Sequence, residues 1–249
     1  MSGRRLALPI LVALAVLAAH RPASACGVSS PGGPSMCSFD DAPKHARPGR
    51  PSLRLGASYG YTSTTILFGD GRRAASERHT AFALLETRLS KVATFHLGAG
   101  PVLGGSLTTP LSRHVVDPGL VAAIGAGVRA VDGQGARPLV TVTATASYLA
   151  TRTHDERDTQ VVGYRAGDLR IGALVGKTIL DTVTPYATAR VFGGPIIWRF
   201  EGQRAQGTDL YKYQLGAGVS VMALRRVDAF VEGVFLGERG LVAGIGVRL

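Results

Sequence analysis

The 249-residue chain carries 28 Lys and Arg against 17 Asp and Glu, a formal charge of +11, with a mean hydropathy of +0.17. A strongly basic soluble protein rarely shows positive hydropathy, so the composition argues for apolar surface facing lipid. Nucleic acid is an improbable partner for a chain that opens on an export leader, and an anionic head-group layer suits the basic charge better.

That leader comes first in chain order. Arg4 and Arg5 precede an apolar run from Leu6 to Ala19, and the small residues Ala23-Ser24-Ala25 follow. This is the layout of a signal peptide over 1–25, with cleavage before Cys26, and the run is too short for a spanning helix. No later stretch reaches the ~18 uninterrupted apolar residues that a membrane helix needs. Residues 26–51 are rich in Pro, Gly and Ser, lack periodicity, and read as a periplasmic tail. In an oxidising compartment the two cysteines, Cys26 and Cys37, are expected to close a small disulfide loop. Lipidation at Cys26 is the rival, because Ala23-Ser24-Ala25-Cys26 loosely resembles a lipobox, though Ala stands where Leu is usual.

From 52 to 249 the chain divides into ten strand-like segments: 52–67, 77–89, 92–106, 117–131, 137–151, 160–178, 183–200, 208–223, 227–236 and 239–249. Their connections alternate. Long polar links are expected from Gly69 to Glu77, Ser106 to Pro118, Thr151 to Gln160 and Glu201 to Thr208. Between them fall shorter ones, such as Ser90-Lys91 and Arg225-Arg226. Long outer loops and short periplasmic turns are the rhythm of an up-and-down transmembrane barrel, and an even strand count places both termini in the periplasm. The short outer link around Gly237-Glu-Arg-Gly240 is the exception.

Within the strands, apolar and polar residues alternate, so one face is greasy and the other small or charged. Leu53, Leu55, Ala57, Tyr59 and Tyr61 alternate with Arg54, Gly56, Ser58, Gly60 and Thr62. The polar set holds Arg54, Glu86, Arg88, His96, Arg129, Asp168, Arg170, Arg190, Lys212, Asp228, Glu232 and Arg248. A soluble barrel would turn these charges outward. A membrane barrel turns them into the lumen, because a charge at mid-bilayer costs ~2–4 kcal/mol. The glycines of the polar set suit a narrow lumen better than a solvated strand. Tyr148, Trp198, Phe200, Tyr211 and Phe235 lie near strand ends, where interfacial girdles form. The expected fold is therefore an all-β, antiparallel, transmembrane barrel of about ten strands.

On this pattern the segment from Ser52 to Leu249 resembles the bacterial outer-membrane β-barrel proteins of about 8 to 12 strands. The resemblance implies a cell outer-membrane location. It also implies contact with outer-membrane lipids and lipopolysaccharide, and handling by barrel-assembly machinery during insertion. In those proteins the last strand typically offers Gly followed by hydrophobic residues at +3 and +5. Gly244, Val247 and Leu249 match that spacing, with Leu in place of the usual terminal aromatic.

The chemistry legible in the sequence is modest. The lumen charges suit either a net-positive narrow channel or an ion-paired packing that closes the bore. His79, His114, Asp117, His154, Asp155, Glu156, Asp158 and Asp209 fall toward the outer rim. The densest run, His154 to Asp158, reads as a solvated loop rather than as acid–base or metal chemistry. Gly98 to Gly105 lacks the lysine and helix of a phosphate loop. No cofactor or metal is expected. The role expected is structural or that of a narrow passive pore, without catalysis. The alternatives are a surface adhesion module using the loops, or an enzyme at the rim.

Overall fold

The computed structural model describes residues 53–249 except 134, 157–159, 180–181, 201–202 and 225. The signal peptide, the tail and the Cys26–Cys37 disulfide lie outside the described residues. Thirteen antiparallel strands form one sheet. They are β1 (Leu53–Phe68), β2 (Arg73–Arg88), β3 (Ala93–Thr108), β4 (Arg113–Val116), β5 (Gly119–Asp132), β6 (Leu139–Asp155), β7 (Val161–Gly176), β8 (Val183–Gly193), β9 (Ile196–Phe200), β10 (Gln203–Asp209), β11 (Tyr213–Leu224), β12 (Val227–Gly237) and β13 (Arg239–Arg248).

Alternation produces the sheet, and closure removes its edges. β13 pairs with β1 from Arg54↔Arg248 to Ser63↔Arg239, completing a ring of ten strands in the order β1-β2-β3-β5-β6-β7-β8-β11-β12-β13. Closure gives each strand a partner on both sides, which a bilayer demands because it offers backbone groups no water.

The ring narrows along its axis. At the end away from Leu53 and Leu249, β4 bridges β3 and β6, while β9 joins β7 to β10 and β10 pairs directly with β1. Above the β12–β13 hairpin the circuit is therefore β1-β2-β3-β4-β6-β7-β9-β10, eight strands rather than ten. Proline makes two of the breaks. Pro118 separates β4 from β5, and Pro195 separates β8 from β9; neither has an N–H for the ladder. The hairpin itself stops short at Glu238. Its Gly237 has φ of +73°, and a Cβ there would lie 1.8 Å from the Tyr213 carbonyl oxygen. The wall above the tip stays sealed, because the Leu210 amide donates to Thr65 O at 2.8 Å.

The expected long loops are corrected. β2 starts at Arg73, β4 lies inside 106–118, β6 runs to Asp155, and β10 occupies most of 201–208. Among the described far-end turns, β1–β2 closes over residues 69–72 and β3–β4 over 109–112. In Arg73–Glu77 and Gln203–Asp209 both faces carry polar or small residues, so these segments read as loops although in and out still alternate. Ala74 and Ser76 are buried while Arg73, Ala75 and Glu77 are exposed.

Polarity is inverted relative to a soluble barrel. Ile245 is 56% exposed and Leu169 54%, while Glu232 is 0% exposed inside. Leu55, Tyr59, Leu97, Ile124, Val142, Tyr148, Ile171, Val191, Phe235 and Leu241 continue the outward apolar band.

Candidate functional site

The lumen holds the chain's charged chemistry in layers. Nearest Leu53 and Leu249, Arg54 donates through Nε to Asp228 Oδ2 at 3.0 Å and through Nη2 to Asp228 Oδ1. Its Nη1 lies 3.7 Å from Glu86 Oε2, and all three side chains are buried. Arg190 Nη1 faces Glu232 Oε1 at 2.8 Å as an ion pair. His96, also buried, meets Thr145 Oγ1 at 3.2 Å. Desolvation of charges at these depths is offset only by close opposite charge, which the strand register supplies: Arg54 stands directly across from Glu86 on β2.

Glycine makes room for these side chains. A Cβ on Gly246 would meet the Arg54 guanidinium at 1.9 Å, on Gly125 the His96 ring at 2.4 Å, and on Gly172 Arg190 Cγ at 2.6 Å. One on Gly244 would strike the Phe230 ring at 2.5 Å. These glycines of the polar face are slots filled by neighbouring side chains.

Farther along, Arg170 donates to Glu238 Oε1 and Oε2 at 3.1 and 2.7 Å, to Gln214 Oε1 at 3.2 Å, and to Asp168. Its guanidinium also lies 4.6 Å from the Phe192 ring centre. The hairpin tip thus drops a carboxylate into the lumen where the ring loses two strands. Beside it is a cavity of about 80 Å³, lined among others by Arg78, Thr80, Asp168, Arg170, Asp209 and Glu238. Thr64 Oγ1 donates to Asp209 there at 3.1 Å.

The far end is apolar inside. Ile66, Phe68, Leu107, Val116, Tyr164, Ile196 and Trp198 form one buried cluster. Trp198 Nε1 donates to Thr153 Oγ1 at 2.9 Å, and its ring packs edge-on against His114 at 4.8 Å.

The residues singled out in the sequence occupy several distinct places. Arg54, Glu86, His96, Arg190, Asp228 and Glu232 are buried in the lumen, with Asp168 and Arg170 partly buried deeper along it. Arg88 and Arg129 cap the β2–β3 turn, donating to Ser90 O at 3.0 Å and Lys91 O at 2.6 Å respectively. Arg248 is half-buried at the same rim. Lys212 is corrected: it is exposed in the β10–β11 link, where the strand pattern has broken and parity no longer points inward. Gly244 forms the Phe230 slot, while Val247 and Leu249 face outward.

Trp198 is also corrected, from an interfacial girdle to the lumen, at 1% exposure. Its parity matches Arg190 and Phe192 across the proline break. Position near a strand end suggested the girdle, whereas parity, which decides, was the available signal. Glu238 lies in the short outer link expected at 237–240, Asp209 reads as an outer-rim group, and Arg78 stands at the start of an expected strand, so none counts among the expected lumen charges.

At the rim, Ser112 Oγ is 3.0 Å from His114 Nε2, and Asp155 Oδ2 lies 3.9 Å from that same nitrogen. A hydrolytic triad needs the acid on the opposite ring nitrogen to the nucleophile. His154 Nδ1 meets Asp117 at 3.0 Å. Among the described residues no group of three His, Cys, Asp or Glu could hold a metal. In the β1–β2 turn, bonding to Arg72 at 2.7 Å holds the Asp70 carboxyl below the usual carboxylate range.

No protein-family model matches the chain, and no curated protein is similar to it. Solved structures similar in shape include the outer membrane protease OmpT from Escherichia coli, at TM-score 0.48 and 9% identity, covering 81% of this chain and 97% of that one. The translocator domain of autotransporter NalP from Neisseria meningitidis follows, at 0.47 and 12%, covering 83% and 90%. The transport unit of autotransporter AIDA-I from Escherichia coli gives 0.46 and 8%, covering 84% and 93%. The assignment itself rests on the barrel: closed, apolar outside and charged inside, it is a transmembrane β-barrel of the bacterial outer-membrane kind.

Proposed function

We propose that the chain is a non-catalytic, structural outer-membrane barrel whose lumen is packed shut. One observation carries this reading. Buried side chains fill the lumen on both sides of the cavity, with the Arg54–Glu86–Asp228 and Arg190–Glu232 groups on one side and the Trp198 cluster on the other. The cavity between them, about 80 Å³, has room for a few waters around Arg170 and its partners. Absence of catalysis is supported by the Ser112–His114–Asp155 geometry, in which one nitrogen would have to serve both neighbours. The tight far-end turns leave little loop surface for adhesion.

The test is planar-bilayer recording of the refolded protein. Silence, with a heat-shifted band on cold SDS gels showing an intact barrel, is expected. Regular conductance steps from the intact protein, changing selectivity on Arg129→Glu, would overturn the closed reading in favour of a narrow pore.

A further inference from the structure

Most lumen charges are paired, but one group of charges on the outer wall has no ion pair among the described residues. Arg152 on β6, Arg199 on β9 and Arg204 on β10 are exposed, and their flanking residues fix them outward: Thr151, Thr153 and Trp198 are buried, and Ala205 packs on the lumen cluster. Register sets them in one row. Arg152 stands across from Gly163 on β7, and Arg199 directly across from Arg204. Tyr164↔Trp198 places Gly163 beside Arg199. Arg165, also exposed, lies one outward step below Gly163.

Like charges directly opposite on a sheet repel, so the Arg199–Arg204 pairing is costly without an anion. None of the four arginines has a carboxylate within ion-pair distance among the described residues; at the β5 edge of the row Asp117 is engaged by His154. The row also has an open floor, because a Cβ on Gly163 would meet nothing within 4 Å.

Height identifies the occupant. From Val175 to Arg165 along β7 the outward residues are Val175, Ala173, Ile171, Leu169 and Gly167. Those ten positions at ~3.3 Å each and ~40° of tilt span about 25 Å, the height of the apolar band of an outer-membrane barrel. The arginines therefore begin where hydrocarbon ends. Three strand spacings of ~4.8 Å separate Arg152 from Arg204, so the row is wide enough for more than one phosphate.

We propose that Arg152, Arg165, Arg199 and Arg204 form a docking site for the phosphates of a glycolipid headgroup in the outer leaflet, seated over Gly163. Guanidinium forks bind phosphate oxygens in pairs, and desolvation at the head-group level strengthens each contact. The site rests on the bilayer placement of the barrel, and does not depend on whether the lumen conducts.

The experiment reconstitutes the barrel in phosphatidylcholine nanodiscs doped with bis-phosphorylated lipid A and measures lipid A retained after detergent re-extraction. The variant R152A/R199A/R204A is expected to lose retention about tenfold or more, while Arg73→Ala on the opposite wall leaves it unchanged. Both must keep the heat-shifted gel band, which reports the barrel separately from the site. If the triple variant loses that band, Arg204→Ala alone carries the test with a smaller loss. Equal retention by variant and unaltered protein would overturn the proposal. So would equal retention of dephosphorylated lipid A, or release by inorganic phosphate, which would make the row a free-phosphate site.

Discussion

The two halves of the lumen solve the same packing problem with opposite chemistry. In the ten-strand half, next to Leu53 and Leu249, arginines, carboxylates and glycine slots share the interior with Phe82, Leu84 and Phe230. In the eight-strand half it is filled by Ile66, Phe68, Leu107 and Trp198, much as in a soluble protein. The difference follows circumference. A wider ring leaves space that long, hydrogen-bonding side chains can span, whereas the narrower one is filled mainly by aliphatic and aromatic groups, with short polar ones such as Ser76 and Thr153 between them. Charge in the wide half has to come in opposed sets, and apolar packing in the narrow half has no such condition.

Substitutions in the two halves should fail in different ways. The largest effect is expected for Arg54→Ala, which removes the guanidinium paired with the buried Glu86 and Asp228 carboxylates, at about 3–5 kcal/mol. It is measured by urea unfolding in lipid vesicles. Recovery on adding Asp228→Asn would sharpen the charge argument, and no recovery would break it. Trp198→Ala removes the largest side chain of the apolar half and should cost about 3 kcal/mol. Bilayer recordings should nevertheless stay silent, because the charged half still closes the lumen; conductance in this variant would show that the apolar half alone is the seal.

Gly246→Ala is next, at about 1–3 kcal/mol, because the new methyl collides with the Arg54 guanidinium. Its cost should shrink in an Arg54→Ala background, a non-additivity that thermal melts of the four proteins would reveal. The smallest effect concerns Asp70, outside both halves. Its lowered carboxyl pKa means that its bond to Arg72 is fully stabilising above the ordinary carboxylate value of about 3.9 and is lost as pH falls through the folded value. Asp70→Asn should leave the melting temperature at neutral pH unchanged within error, since the pair is exposed.

Much of this architecture is legible in the order of the amino acids. The segments expected at 52–67, 160–178, 227–236 and 239–249 coincide closely with β1, β7, β12 and β13, because strict alternation survives wherever one face meets lipid and the other the lumen. The lumen position of Arg54, Glu86, His96, Arg190, Asp228 and Glu232 follows from the same parity. What the pattern does not reveal lies beyond the apolar band. There Arg73 to Glu77 and Gln203 to Asp209 look like loop, since water outside and packing inside no longer give contrasting residue types. Glu238 falls in the short link expected at 237–240, and Asp209 reads as an outer-rim group rather than a lumen one.

The sequence by itself determined the all-β class, the inverted polarity and the parity of nearly every strand, since each is local and repeats every two residues. The tertiary structure alone decided that the ring drops from ten strands to eight. It also decided that Trp198 packs into the interior, and that Arg152, Arg199 and Arg204 share one row. These depend on register between segments distant in the chain, such as Ile66 with Asp209, which pairing across the closed sheet fixes and no local pattern records.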